Sequence, residues 1–120
     1  MKSFYKSTLL SAILFSFSTG VFAQDFHPKT AGYILCVQGY IVAGGADFFN
    51  RKGRLPHPDD LVESSMSICE EKRHSAVRDL ARLEDGKDTR ANRRKWERAF
   101  TEKVDPQFRE LAHTVVPELK

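Results

Sequence analysis

Apolar positions recur at helical spacing along most of the chain, and this pattern predicts α-helices. After a short polar lead-in, the first apolar stretch covers residues 30–49, where Tyr33, Val37 and Ile41 follow a helical period. Thr30 is the expected N-cap. Valine, isoleucine and tyrosine also favour strands, and several glycines weaken a helix, so a pair of strands is the alternative for this element.

The second predicted helix covers residues 58–84. Pro58 suits the first helical position, and Asp59 and Asp60 suit the first turn, where acidic groups interact favourably with the helix dipole. Apolar residues keep a helical period as far as Glu84, and Asp85-Gly86 ends the element.

Two further helices complete the pattern. The third begins after Asp88 as its cap, with an expected buried side of Ala91, Trp96, Ala99, Phe100 and Val104. The fourth begins at Asp105-Pro106, carries the apolar stripe Phe108, Leu111, Ala112, Val115 and Val116, and ends at Pro117. No linker divides the chain, so the expected fold is all-α, a small four-helix bundle over residues 24–120.

Residues 1–23 have the pattern of a secretory signal peptide. Lys2 and Lys6 precede a short apolar stretch, and Val21-Phe22-Ala23 places small residues around a cleavage site after Ala23. The stretch is short for a bilayer span, although an uncleaved membrane anchor is the alternative. We therefore expect a soluble mature protein, periplasmic or secreted.

Cys36 and Cys69 are the only cysteines, and an even number in an exported chain indicates a disulfide. If the first two elements form an antiparallel helical hairpin, the cysteines lie about 20 Å and about 17 Å from its turn. The two cysteines thus lie at similar heights along the hairpin and can form a disulfide bond. Free reactive thiols are the alternative, but a Cys-x-x-Cys motif is absent.

Charge weakens the case for a nucleic-acid partner. The full chain has a formal net charge of +3, with 19 basic and 16 acidic residues. Lys2 and Lys6 belong to the leader, which leaves 17 basic and 16 acidic residues, a net charge of +1. A nearly neutral exported protein is a poor candidate for binding nucleic acid.

Catalytic and metal-binding patterns are weak. Glu70 and His74 stand one helical turn apart, which is half a metal site at most and is typical of a solvated helix surface. The acidic pairs Asp59-Asp60 and Glu70-Glu71 are explained by the helix dipole and by solvent exposure. A nucleophile elbow is absent as well. We therefore expect a non-enzyme without metal or cofactor.

Residues 87–98 are the most basic segment, with six basic and two acidic side chains and a local charge of +4. Arg90, Arg94 and Arg98 form a stripe about 80° wide on the predicted helix. The stripe suits an acidic patch on another exported protein or, more weakly, anionic lipid head groups. A solvated surface balanced by nearby acids is the alternative.

Aromatic residues near the end of the first element, Tyr40, Phe48 and Phe49, are expected in the core because so small a domain has few large side chains to bury. If one side of the hairpin is uncovered, they would form an interaction surface instead.

These features favour a non-catalytic exported binding protein, for example an inhibitor or immunity factor acting on another exported protein. In size, leader, helix content and cysteine number the chain also resembles periplasmic acid-stress chaperones, although no motif carries this likeness. The alternative function is therefore an acid-responsive chaperone, in which charging of the four histidines near pH 5–6 loosens the fold.

Overall fold

The chain is all-helical over residues 27–119, the part that a computed structural model describes. Its elements are α1 (Pro28–Lys52), α2 (Pro58–Ile68), α3 (Glu70–Asp85), α4 (Arg90–Ala99), a π-helical segment (Phe100–Val104), α5 (Asp105–Val115) and a 3-10 turn (Val116–Leu119). Residues 30–49 are thus helical rather than a pair of strands. The predicted signal peptide, residues 1–23, lies outside the described residues.

Helix α1 begins earlier than the sequence predicts. His27 is the N-cap in an extended conformation and Pro28 is the first helical residue, where proline is pre-set for helix geometry. Thr30 is fully buried inside the first turn, so its prediction as the N-cap is wrong. The helix ends at Gly53, whose positive φ of 71° suits glycine and whose N–H donates to the Phe49 carbonyl.

A disulfide joins Cys36 to Cys69, with 6.1 Å between the Cα atoms, and the predicted pairing is confirmed. The bond ties the first half of α1 to the junction of α2 and α3. Near the other end of α3, His27 lies 2.7 Å from a carboxylate oxygen of Glu84. These two contacts show that α1 and α3 run in opposite directions.

The helix predicted over residues 58–84 is broken at Cys69. This residue has φ −95° and ψ 11°, outside the helical region, and separates α2 from α3. The prediction of one continuous helix is wrong at the residue that carries the disulfide, because the repeat of apolar positions continues across a one-residue break.

Helix α4 is capped by Thr89, not by Asp88. Thr89 is extended, and its side-chain oxygen accepts a hydrogen bond from the backbone N–H of Asn92 at 3.1 Å. Asp88 instead pairs with Arg93 at 2.7 Å. Helix α4 contains no buried residue, and Ala91 is exposed, so full burial on the predicted apolar side begins only at Phe100.

The backbone stays helical from α4 through the π-helical segment into α5. Ala99, Phe100 and Asp105 all have right-handed helical dihedrals. The last helix thus begins at Asp105, as the sequence predicts, but Asp105 has helical dihedrals and is the first residue of α5 rather than a cap outside it. Its carboxylate is instead engaged by side chains of α1 and α3.

An aromatic trio lies at the centre of the core. The ring of Tyr33 stacks on Phe100 with 5.6 Å between centroids and meets Phe108 edge-on at 5.7 Å. Tyr40 was predicted in the core but is 45% exposed, because it lies at the margin of the buried face of α1. Phe48 and Phe49 are half-buried.

The 3-10 turn packs closely against α1. A Cβ atom placed on Gly45 would lie 2.7 Å from Leu119 Cδ1 and 3.1 Å from Leu61 Cδ2. A side chain at this position would require both leucine side chains to shift, so Gly45 allows the C-terminal turn and α2 to approach α1 closely.

Among the described helices, α1 alone is long and apolar enough to cross a membrane by length and composition. It has 25 residues and a mean hydropathy of 1.2 over its most apolar window. In this structure α1 packs against α2, α3 and α5, and its inward side supplies Tyr33, Ile34, Val37 and Ile41 to the core. Core helices with such a buried side pass the same test.

Candidate anion-binding cleft

A cleft of about 520 Å³ opens between α3 and α4. Its lining is strongly basic and consists of His74, Val77, Arg78, Arg90, Arg93, Arg94 and Glu97. Four arginines against one glutamate give the lining a formal charge of +3 with the histidine neutral. The concentration of positive charge in a concave surface makes this cleft the main candidate site.

Helical spacing explains how both walls are formed. Helix α3 contributes His74, Val77 and Arg78, which are three and four residues apart and share one face. Helix α4 contributes Arg90, Arg93, Arg94 and Glu97 in the same kind of spacing. Each helix thus turns one continuous face toward the cleft.

Polar contacts hold α4 beside α3. The Asp85 carboxylate, at the end of α3, accepts a hydrogen bond from Trp96 Nε1 at 2.8 Å and a second one from Lys95. These bonds, chiefly the one from Lys95, hold the pKa of Asp85 below its ordinary value, because they stabilise the charged carboxylate. The side chain of Asn92 adds a hydrogen bond of 2.9 Å to the Lys87 carbonyl.

A largely buried network closes the inner end of the cleft. Arg73 on α3 lies 2.5 Å from a Glu97 oxygen and 2.9 Å from an Asp105 oxygen, with its side chain only 14% exposed. Its guanidinium also stands over the Phe100 ring at 5.5 Å. The Tyr33 hydroxyl donates to the other Asp105 oxygen at 3.2 Å. The network thereby joins α1, α3, α4 and α5.

Burial and charge shift two pKa values in this network. Burial lowers the pKa of the Arg73 guanidinium, but the charges of Asp105 and Glu97 outweigh it, so the pKa is raised overall. The pKa of Tyr33 is also raised, first by burial and then by the charge of Asp105. Arg73 therefore stays charged and Tyr33 stays neutral throughout the physiological range.

The acids around the cleft are already engaged by other cations. Asp88 pairs with Arg93, Glu97 with Arg73, Asp85 with Lys95 and Asp79 with Arg82. Within residues 27–119, by contrast, the side chains of Arg78, Arg90 and Arg94 make no ion pair and no hydrogen bond. Three guanidinium groups of the cleft are thus left without a counter-charge.

The structure places two of the three predicted stripe residues in the cleft. Arg90 and Arg94 line it, whereas Arg98 is exposed on α4 and is not part of the lining. Arg78 and Arg93, which also line the cleft, were not predicted as site residues. The spacing Arg90, Arg93, Arg94 and Glu97 was visible as one helical face, but Arg78 belongs to another helix and joins it only through tertiary packing.

Arg73 was also missed, although the sequence contained a signal. Cys69, Arg73, Val77 and Leu80 follow one another at helical spacing, which places Arg73 on the apolar side of its helix. A charged residue in that position indicates a buried partner of opposite charge.

Guanidinium groups favour a particular ligand chemistry. Each presents a planar fork of N–H donors that matches the two oxygens of a carboxylate or of a phosphate. Among residues 27–119, no group of three or more histidine, cysteine, aspartate and glutamate side chains is placed to hold a metal ion. The four arginines of the lining suit the cleft to anions.

A second cleft of about 530 Å³ lies between α1 and α2 and includes Tyr40, Phe48 and Ile68. Both arginines at its rim have partners, since Arg51 forms an ion pair with Asp47 at 2.8 Å and Arg54 makes a cation–π contact with the Phe48 ring at 5.0 Å. The exposure of Tyr40 here agrees with the alternative interpretation of these aromatic residues as surface.

Comparison of the chain with protein-family models, with curated proteins and with solved structures gave no match.

Proposed function

We propose that this chain is a small exported binding protein without catalytic activity, which docks onto an acidic surface of another exported protein. The observation that carries the proposal is the set of three guanidinium groups, on Arg78, Arg90 and Arg94, that no acid of the described residues neutralises. Inhibition of that partner, or immunity to it, is the form of function that such binding supports.

Export belongs to the same proposal. The Cys36–Cys69 disulfide suggests an oxidising compartment, periplasmic or extracellular. Residues 1–23 have the charge and hydropathy pattern of a signal peptide cleaved after Ala23. We propose that the remaining residues, 24–120, form one domain, a small four-helix bundle held by that disulfide.

Electrostatics support a protein partner over nucleic acid. The positive charge is local, in a chain whose net charge without the leader is only +1. A local field of this kind accelerates association with a complementary surface and selects against positively charged ones. A duplex would require a broader basic surface.

Affinity capture tests the proposal. The purified, oxidised protein is used to capture binding proteins from the exported fraction of its source cells, in parallel with Arg94→Glu and Arg51→Glu. Arg51 is an exposed arginine on α1 that pairs with Asp47 and does not line the cleft, so it reports the effect of reversing a charge elsewhere on the surface. We expect one stoichiometric acidic partner that Arg94→Glu loses, that Arg51→Glu keeps, and that high salt weakens. Equal capture by both variants would refute the proposal.

The histidines weigh against the acid-responsive chaperone as the main function. His27 lies 2.7 Å from Glu84, His113 lies 3.0 Å from Asp59, and His74 lies 3.7 Å from Glu70. These three side chains are partly or fully exposed and do not belong to the core, and His57 is exposed at the start of α2. The contacts of the four histidines are therefore peripheral to the core packing that such a chaperone would have to loosen. Dye binding and client protection that rise between pH 7 and pH 5 would reverse this preference.

A further inference from the structure

We infer that the cleft between α3 and α4 takes a protruding acidic peptide segment of the partner, whose carboxylates bridge Arg78 on α3 to Arg90 and Arg94 on α4. The inference rests on the proposed function and adds which part of the partner is recognised.

The shape of the site is the first argument. The unneutralised arginines stand on two helices that face each other across about 520 Å³ of open space. A flat acidic surface that lies on the exposed stripe of α4 contacts one wall of the cleft, whereas Arg78 stands on the other wall. A segment that enters the cleft contacts both walls. The volume lies within the range of concave sites that enclose compact ligands.

The charges of the site are the second argument. The surrounding acids Asp79, Asp85, Asp88 and Glu97 are each held by another cation, so none of these four, within residues 27–119, is ready to neutralise Arg78, Arg90 or Arg94. Three guanidinium groups can bind more than one carboxylate. A single acidic side chain therefore leaves charge unbalanced, and a segment with neighbouring acids balances it.

The floor and the inner end of the cleft distinguish a peptide from a bare oxyanion. Val77 is the one apolar residue of the lining and is 3% exposed, so the floor of the cleft offers a small apolar contact between the arginines. The aliphatic part of a glutamate side chain can use this contact, whereas a phosphate ion gains nothing from it. Glu97 adds a negative charge at the end of the cleft near Arg73. This charge repels incoming carboxylates and so directs them toward Arg78, Arg90 and Arg94.

A labelled hexaglutamate peptide is the probe, and fluorescence anisotropy with the oxidised protein gives its Kd. Three variants each lose one positive charge. They are Arg78→Gln on the α3 wall, Arg98→Gln on the exposed stripe and Arg51→Gln on α1. We expect Arg78→Gln to raise the Kd about tenfold, because it removes a bidentate partner, and the other two to change it less than about twofold. Arg78→Lys keeps the charge but not the fork, so it recovers only part of the loss.

Folding of the variants is checked by thermal unfolding. Arg78 makes no ion pair within the described residues, so its replacement is expected to leave the melting temperature unchanged. An equal increase in the Kd for hexaglutamate in Arg78→Gln and Arg98→Gln would overturn the inference, because the exposed stripe would then be the binding surface. Binding of tripolyphosphate or of phosphatidylglycerol vesicles in place of hexaglutamate would also overturn it.

The two proposals fail in different ways. If Arg94→Glu abolishes capture of the partner but hexaglutamate binding does not depend on Arg78, the proposed acidic partner is supported and the insertion of an acidic segment into the cleft is refuted. If hexaglutamate binding depends on Arg78 but Arg94→Glu captures every protein normally, binding of acidic peptide in the cleft is supported and the proposed function is refuted.

Discussion

Arg73 and Asp105 form an ion pair 2.9 Å long between α3 and the first residue of α5, with both side chains largely buried. The hydroxyl of Tyr33 binds the same carboxylate from α1. Three segments that are distant in sequence thus meet at one charge pair. Glu97 binds the same guanidinium, so this pair also fixes where α4 stands and hence the width of the arginine cleft.

The first prediction concerns this pair. Arg73→Gln leaves the buried Asp105 carboxylate without its cation, so we expect the free energy of unfolding to fall by about 3 kcal/mol. Arg51→Gln removes the same group from an exposed pair on α1 and is expected to cost less than about 0.5 kcal/mol. Urea unfolding of both variants measures the difference, and equal losses would show that the buried pair contributes no more than a surface one.

The second prediction concerns the disulfide. Cys36 and Cys69 are 33 residues apart, and closing a loop of that length restricts the unfolded chain. The double variant Cys36→Ala, Cys69→Ala is expected to lose about 3–4 kcal/mol of stability on the chain-entropy model. Thermal unfolding with and without reductant is the measurement. Reductant should lower the melting temperature of the natural protein and leave that of the double variant unchanged, and a response in the variant would contradict the interpretation.

The third prediction concerns acid. The pKa of Asp85 is lowered in the folded state by Lys95 and Trp96, so its charged form stabilises the fold at neutral pH. That contribution is complete above the unfolded pKa, near 3.8, and is lost as the pH falls through the lower folded value. Asp85→Asn should therefore reduce the stability at pH 7 and flatten its decline below about pH 5.

Unfolding followed by the fluorescence of Trp96 across this pH range tests the acid prediction, since this tryptophan binds Asp85 directly. Glu63→Gln is the control, because Glu63 is exposed on α2 beyond the first turn. If both variants keep the same slope below pH 5, the contacts of Asp85 do not account for acid sensitivity.

The fourth prediction compares two glycines of α1. Gly39→Ala adds a methyl group where nothing lies within 4 Å, so it should raise stability by about 0.5–1 kcal/mol through helix propensity. Gly45→Ala places the methyl group against Leu119 and Leu61, and overpacking should make this variant less stable than the natural protein by about 1 kcal/mol. Chemical denaturation ranks the three proteins, and a stabilising Gly45→Ala would mean that the C-terminal turn moves freely away.

Several features were predictable because they depend on local sequence. Pro58 followed by two aspartates marks the start of α2, and the structure begins that helix at Pro58. The disulfide followed from two cysteines and the rise of a helix. Cap residues were less certain because neighbours compete. Asp88 and Thr89 are both good caps, and the side chain of Asp88 is used by Arg93 instead.

The candidate site was predictable only in part because it is made by two helices. Arg90 and Arg94 were recognised on one helix, but Arg78 reaches the cleft from another, and periodicity does not reveal which faces of two helices meet. Nor did the local pattern indicate that Glu97 and Asp105 share Arg73, since that contact depends on the π-helical segment between them.

Helix α4 has no fully buried residue, and apart from Trp96, which packs against the core, it is joined to the body by hydrogen bonds and ion pairs. A helix held in this way has little apolar surface to lose when it detaches, so its opening costs less than global unfolding. The amide protons of residues 90–99 should consequently exchange with solvent earlier than those of α1, and faster as salt weakens the pairs. An acidic segment bound between the arginines would slow that exchange. The exchange rates of the α4 amide protons would therefore report whether the cleft is occupied.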